Sequence, residues 1–193
     1  MAEGWVSRRA VLGGCLIASE CIWSLAAHAD EPIDPDRAML PQPGDLLIAA
    51  GSDTDAKPLR HDDIDLQDLV LAWAFDPQKR LLRDGSRLNM VLLMRFDPAT
   101  LGDTEKPMAV GGVVAYSAVC THQQCWVTDW LKTAQVLQCP CHQSQYDLRH
   151  GAKVVGGPAP RPLPALPLKS SHSGLVIAAP FTARVGGEQQ QSA

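Results

Sequence analysis

The stretch "CTHQQC" at residues 120–125 is answered by "CPCHQSQYD" at 139–147, so four cysteines and two histidines fall between positions 120 and 142. Thiolates and imidazoles grouped in this way are metal ligands, and six of them exceed what one tetrahedral ion takes. Either a metal site has ligands to spare, or a metal site and a disulfide share the set. A structural zinc ion would use four, and in an exported chain two spare thiols lying close together oxidise to a disulfide. Zinc does not account for the rest of the pattern: a hydroxyl at Ser144, a phenol at Tyr146 and the glycine and proline loop "GGPAP" at 156–160.

Taken together these residues resemble the Rieske iron-sulfur proteins, in which C-T-H-x-x-C and C-P-C-H-x-S-x-Y hold a 2Fe-2S cluster with two cysteines on one iron and two histidines on the other. The resemblance covers about 40 residues, from Cys120 to Pro160. It implies that Cys120, His122, Cys139 and His142 are the metal ligands and that Cys125 and Cys141 form the disulfide joining the two loops. It also implies that the Ser144 hydroxyl donates to a bridging sulfide, that the Tyr146 hydroxyl donates to the Cys120 sulfur, and that Gly157, Pro158 and Pro160 line the cofactor. Two neutral imidazoles in place of two thiolates favour the reduced cluster, with potentials of roughly −150 to +300 mV. The full set, with disulfide, serine and tyrosine, resembles the high-potential branch. The fold implied is all-β, an antiparallel β-sandwich with a small cluster-binding subdomain carrying two metal-binding loops.

The elements that must position these loops agree with that class. Apolar, β-rich runs at 45–51, 69–77, 89–98, 112–119, 134–138 and 174–180 predict strands, bounded by turn residues such as Asp84-Gly85 and two Phe-Asp-Pro stops. Two of these strands lead directly into Cys120 and Cys139. Met90 and Met94 alternate with apolar neighbours and are assigned to the core, and Trp126 and Trp130 to packing. His61, His150 and His172 are read as surface residues. The acidic run at 52–68 lacks the glycine and terminal glutamate of a calcium loop and is read as a solvated loop. The predicted organisation is an export signal over 1–29, an extended proline-rich lead-in over 30–44 whose prolines exclude helix, the domain over 45–185 with its cluster-binding part at about 113–165, and a disordered tail over 186–193.

Arg8-Arg9, a moderately apolar stretch from Ala10 to Ala27 and the small residues of Ala27-His28-Ala29 read as a signal cut after Ala29. "SRRAVL" resembles the twin-arginine motif, whose route carries proteins already folded around a cofactor. The alternative is an uncleaved anchor in the inner membrane, which Glu20 opposes at a cost of about 3 kcal/mol in mid-span. The formal net charge is −4, and it is unchanged without residues 1–29 because Arg8 and Arg9 are matched by Glu3 and Glu20. Nucleic acid is not the expected partner.

A chain of 193 residues with one cluster motif has no room for the second, mononuclear iron domain of a Rieske oxygenase. The expected function is therefore one-electron transfer in the periplasm to a redox protein partner, either an oxidoreductase subunit, as in the small subunit of the arsenite oxidase type, or a c-type cytochrome. The competing reading is the Rieske subunit of a quinol-oxidising cytochrome bc complex, and a zinc-stapled binding module is the third. Gln123, Gln124, Gln143 and Gln145 distinguish the first two, because large amides around exposed histidines suit a wet protein interface better than an apolar quinol pocket.

Overall fold

The computed structural model describes residues 34–187, so the expected signal, the first residues of the lead-in and residues 188–193 of the expected tail lie outside the described residues. Eleven strands and one helical turn make up the described regular structure, apart from short 3-10 turns. The helical turn, α1 (Pro35–Ala38), corrects the expectation of an extended lead-in. Pro35 opens it, where a missing N–H costs nothing, and the Asp34 carboxylate accepts from the Asp36 amide at 2.9 Å.

The larger sheet contains β1 (Leu46–Ala49), β2 (Leu69–Asp76), β3 (Leu81–Leu82), β4 (Val91–Arg95), β5 (Val113–Ser117), β10 (Leu168–Ser171) and β11 (Gly174–Ile177). Its order is β10-β11-β1-β2-β4-β5, with β3 beside β2. Every pairing is antiparallel. The smaller sheet, β6 (Asp129–Leu131), β7 (Val136–Gln138), β8 (Gln145–Asp147) and β9 (Lys153–Gly156), is a meander inserted between β5 and β10.

The apolar runs of β4 and β5 are continuous because both faces of the larger sheet are covered, while side chains still alternate along each strand. Val91, Leu93, Val113 and Ala115 enter one core with Leu47, Leu175 and Ile177. Leu92, Met94, Val114 and Tyr116 enter another, shared with Leu137, Tyr146 and Leu148 from the smaller sheet, and Met90 joins them there. The Tyr116 hydroxyl donates to the Leu148 carbonyl at 2.8 Å, so the polar end of that large side chain also ties the two sheets together. Trp126 packs edge-on to Trp73 and Trp130 edge-on to Phe96, as expected of packing residues.

All six predicted strands are present, each shorter than its apolar run. β3, β6, β8, β9 and β10 were not expected. The turn at Asp84-Gly85 is a bend and not a hairpin tip: Asp84 pairs with Arg37 at 2.8 Å, and the tip lies at Pro77–Arg80, where the Asp76 carboxylate accepts from the Gln78 and Lys79 amides. The expected tail also starts too early, because Gly186 and Gly187 are buried in the described structure.

Candidate metal centre

Each cysteine box caps a hairpin, and the two caps share one backbone design. In the first loop the Cys120 amide donates to the Cys125 carbonyl at 2.8 Å and the Gln124 amide to the Cys120 carbonyl at 3.1 Å. In the second the Cys139 amide donates to the Ser144 carbonyl at 2.8 Å and the Gln143 amide to the Cys139 carbonyl at 2.9 Å. Both turns close through a left-handed glutamine, Gln124 with φ 59° and Gln143 with φ 56°. The first hairpin is carried by the Val119–Trp126 bridge beyond β5 and the second by β7 and β8. The four residues expected as metal ligands thus stand on tight turns held by strands buried against one core.

A third segment closes on the second loop. Gly157 has φ 79°, and a Cβ there would lie 2.5 Å from the Ser144 Cα and 2.7 Å from the Gln143 carbonyl oxygen, so no other residue lets the 156–160 loop approach so closely. Pro158 and Pro160 are exposed beside it.

The side chains fit a cluster held between the two loops. Cys120 and Cys139 are free thiols, each 1% exposed, and the rings of His122 and His142 stand edge to face with centroids 4.7 Å apart. The Nδ1 of His122 and the hydroxyl of Ser144 are buried without any partner in the protein. A buried imidazole nitrogen and a buried hydroxyl left unsatisfied are costly, and both become satisfied if the nitrogen coordinates a metal and the hydroxyl donates to an inorganic sulfide. The Tyr146 hydroxyl lies 3.2 Å from the Cys120 sulfur. Burial, and then that contact with Cys120, pushes the phenol above its ordinary pKa, so Tyr146 remains a donor. Burial likewise pushes the Cys139 thiol up, while the backbone amides of Cys141 and His142 directed at its sulfur pull the other way and are placed to stabilise a thiolate.

Cys125 and Cys141 are bonded to each other, 16 residues apart in sequence. Their sulfurs and that of Cys139 lie within 4.8 Å of one another, but with two of the three spent on the disulfide this is no three-thiolate site. Replacing both with alanine removes a crosslink that the chain-entropy model values at about 3 kcal/mol for a loop of this size. At about 2–4 °C per kcal/mol for a chain of this length, the oxidised protein should melt roughly 6–12 °C lower. Calorimetry on the double variant checks this, and an unchanged midpoint would show that the cluster alone ties the loops.

Exposure divides the two histidines: His142 is exposed and His122 half-buried. The four glutamines divide as well. Gln123 and Gln143 are exposed at the tip, whereas Gln145 donates to the Gln138 side chain at 2.9 Å and Gln124 lies against Gly186. His150 pairs with Asp147 at 2.8 Å and takes no part in the site. The sequence reading missed Thr121, which is 1% exposed, with its hydroxyl donating to the Arg161 carbonyl at 2.7 Å and its amide 3.4 Å from the Tyr146 hydroxyl.

The family model for the Rieske [2Fe-2S] domain matches residues 96–167. The chain is 30% identical over 138 residues to the cytochrome bc1 complex Rieske iron-sulfur subunit of Streptomyces lividans, a match covering 70% of this chain and 79% of that protein. It is 34% identical over 142 residues to the protein of the same description from Corynebacterium efficiens, covering 68% of this chain and 33% of the relative. A protein of Haloferax mediterranei assigned by name as a respiratory nitrate reductase Rieske subunit is 41% identical over 97 residues, covering 50% and 43%. Of these last two relatives the chain spans less than half the length. With a relative matched over most of its length and the residues of the two loops arranged around a common centre, the chain belongs to the Rieske proteins, electron-transfer proteins whose cofactor is a Rieske-type 2Fe-2S cluster.

Proposed function

We propose that Cys120, His122, Cys139 and His142 hold the cluster, and that the protein exchanges single electrons with a redox protein partner through the exposed edge of His142. The observation that carries this reading is the pair of buried, unpartnered atoms, His122 Nδ1 and Ser144 Oγ, beside two free buried thiols and behind one exposed imidazole. When bound, the cluster supplies one reversible electron. The chain's own residues set its environment: Tyr146 and Ser144 bring hydrogen-bond donors to sulfur, which favours the reduced form, and the apolar core behind them keeps water away.

The partner presents a polar, hydrated surface. The tip exposes Gln123 and Gln143 beside His142. In an apolar quinol pocket each unpaired amide would cost about 1–3 kcal/mol, whereas at a wet interface water satisfies it. This supports an oxidoreductase subunit or a c-type cytochrome as partner, and Arg8-Arg9 with Ala27-His28-Ala29 support export to the periplasm by the twin-arginine route with cleavage after Ala29. The names of the relatives favour a second reading, the Rieske subunit of a cytochrome bc complex. Among the described residues no helix is long and apolar enough to cross a membrane.

Stopped-flow mixing of the holoprotein with a c-type cytochrome and with a quinol-loaded membrane fraction tests the choice, read together with the N-terminus and the cell fraction of the exported protein. The expected result is rapid exchange with the soluble partner by a periplasmic chain beginning at Asp30. Fast reduction by the membrane fraction, sensitive to a quinol-site inhibitor, would overturn it in favour of the bc complex.

A further inference from the structure

The C-terminal run beyond β11 reaches the first ligand loop at Gly187. Thr182 anchors it, with its amide donating to the Ala165 carbonyl at 2.9 Å and its hydroxyl accepting from the Ala165 amide at 3.0 Å. Val185, Gly186 and Gly187 are buried. At Gly187 the backbone sits directly on the loop: a Cβ there would stand 2.5 Å from the His122 carbonyl oxygen and 3.1 Å from that of Thr121. Only a residue without a side chain lets the run lie so close.

Two arginines fasten this run. Arg184 donates to the Gly187 carbonyl at 2.6 Å, and the Arg161 guanidinium donates to the Gly186 carbonyl. Arg161 follows the 156–160 loop directly, and its own carbonyl accepts from the Thr121 hydroxyl at 2.7 Å. Thr121 has therefore committed its proton to Arg161, and its amide points at the Tyr146 oxygen. The Thr121 hydroxyl oxygen could still accept, but it lies 3.4 Å from the Tyr146 oxygen, long for a bond between two hydroxyls, so the Tyr146 proton goes to the Cys120 sulfur at 3.2 Å. Run, arginine, threonine and tyrosine form one connected set ending on a sulfur of the centre.

We infer that residues 182–187 are a strap that holds the first ligand loop from behind, with Gly187 and Arg161 as positioning residues for the cluster. This rests on the ligand assignment proposed above. The strap lies against the His122 side, while the loop of Gly157 lies against the second loop and the disulfide joins the two. The result is a centre clamped on the half-buried side of His122 and open at His142, which gives the electron a single exposed edge.

The test uses the holoprotein as wild type, Gly187→Val, Arg161→Met and Arg161→Lys. Three readouts are taken: hydrogen exchange at the Gln124 amide, the rate of iron release to a chelator, and the EPR line widths of the reduced cluster. Gly187→Val and Arg161→Met should each speed exchange and iron release by about tenfold or more, the scale of one lost bond from a charged donor. Both should broaden the EPR lines, and Arg161→Lys should recover part of the difference. Exchange at the Ala50 amide, bonded to the Leu71 carbonyl, should stay at the wild-type rate, which separates a loosened loop from a loosened fold. Wild-type values of exchange, release and line width in both Gly187→Val and Arg161→Met would overturn the strap. The wild-type EPR spectrum tests the proposed centre separately, since a chain without the Rieske signal would overturn the ligand assignment whatever the variants do.

Discussion

Alanine at any one of Cys120, His122, Cys139 or His142 leaves protein without the Rieske EPR signal and with iron well below about two per chain. The reason is geometric. The four side chains come two from each hairpin cap, and each cap is closed by its own pair of backbone hydrogen bonds, so neither loop can shift a neighbouring residue into the vacated position. Cys125 and Cys141 cannot substitute while they remain bonded. Removing a buried thiol also leaves the Cys141 and His142 amides, or the Tyr146 hydroxyl, directed at an apolar methyl group. Iron analysis and EPR on the purified variants check the expectation. A cluster retained in Cys120→Ala but lost in Cys125→Ala would reverse the roles assigned to ligand and disulfide.

The sequence discloses the family and its cofactor because metal chemistry restricts residue types severely: few side chains bind iron, and here their spacing follows two short turns. The strands of the larger sheet are legible for a different reason. Runs such as "VLLM" and "VVAY" must be buried on both faces, and in the structure they are. β8, β9 and β10 escape because they are short and mix polar with apolar residues, as in "QYD", "KVVG" and "LKSS", so no run of apolar residues marks them and only hairpin pairing with the adjacent strand along the chain makes strands of them. α1 escapes because a count of prolines ignores position, and a proline in the first turn is compatible with a helix. The contact of Gly187 with His122 joins residues far apart in sequence, and nothing in "ARVGGEQQ" signals it. The same holds for Arg83, which within "QKRLLRDGSR" looks like one more solvated charge.

Arg83 in fact has only 5% of its side chain exposed, and it is the centre of the largest electrostatic effect expected outside the cluster. Its guanidinium donates to Asp45 at 2.6 and 3.2 Å, to Asp76 at 3.2 Å and to the Asp36 carbonyl at 3.0 Å. These contacts fasten the start of β1, the end of β2 and α1 to one point. Breaking a buried ion pair by removing one partner costs about 3–5 kcal/mol, because the other charge stays behind. Arg83→Leu leaves two carboxylates, with 4% and 15% of their side chains exposed, without the guanidinium they share. The melting midpoint should fall by roughly 6–20 °C at neutral pH. The pH dependence gives the effect its signature. For Asp76 burial is the largest influence and pushes the pKa up, but the Lys79 and Gln78 amides and the charges of Arg83 and Lys79 outweigh it and hold the carboxyl below its ordinary value. A carboxyl depressed in the folded state adds stability above its unfolded pKa of about 3.9 and loses it as pH falls through the folded value. In Arg83→Leu that contribution shrinks while burial persists, so protonation relieves the variant where it weakens the wild type. Denaturation of both proteins between pH 7 and pH 3 should show the stability gap closing with acid. A gap that stays constant across that range would mean that Arg83 stabilises the fold through packing of its side-chain stem and not through its charge.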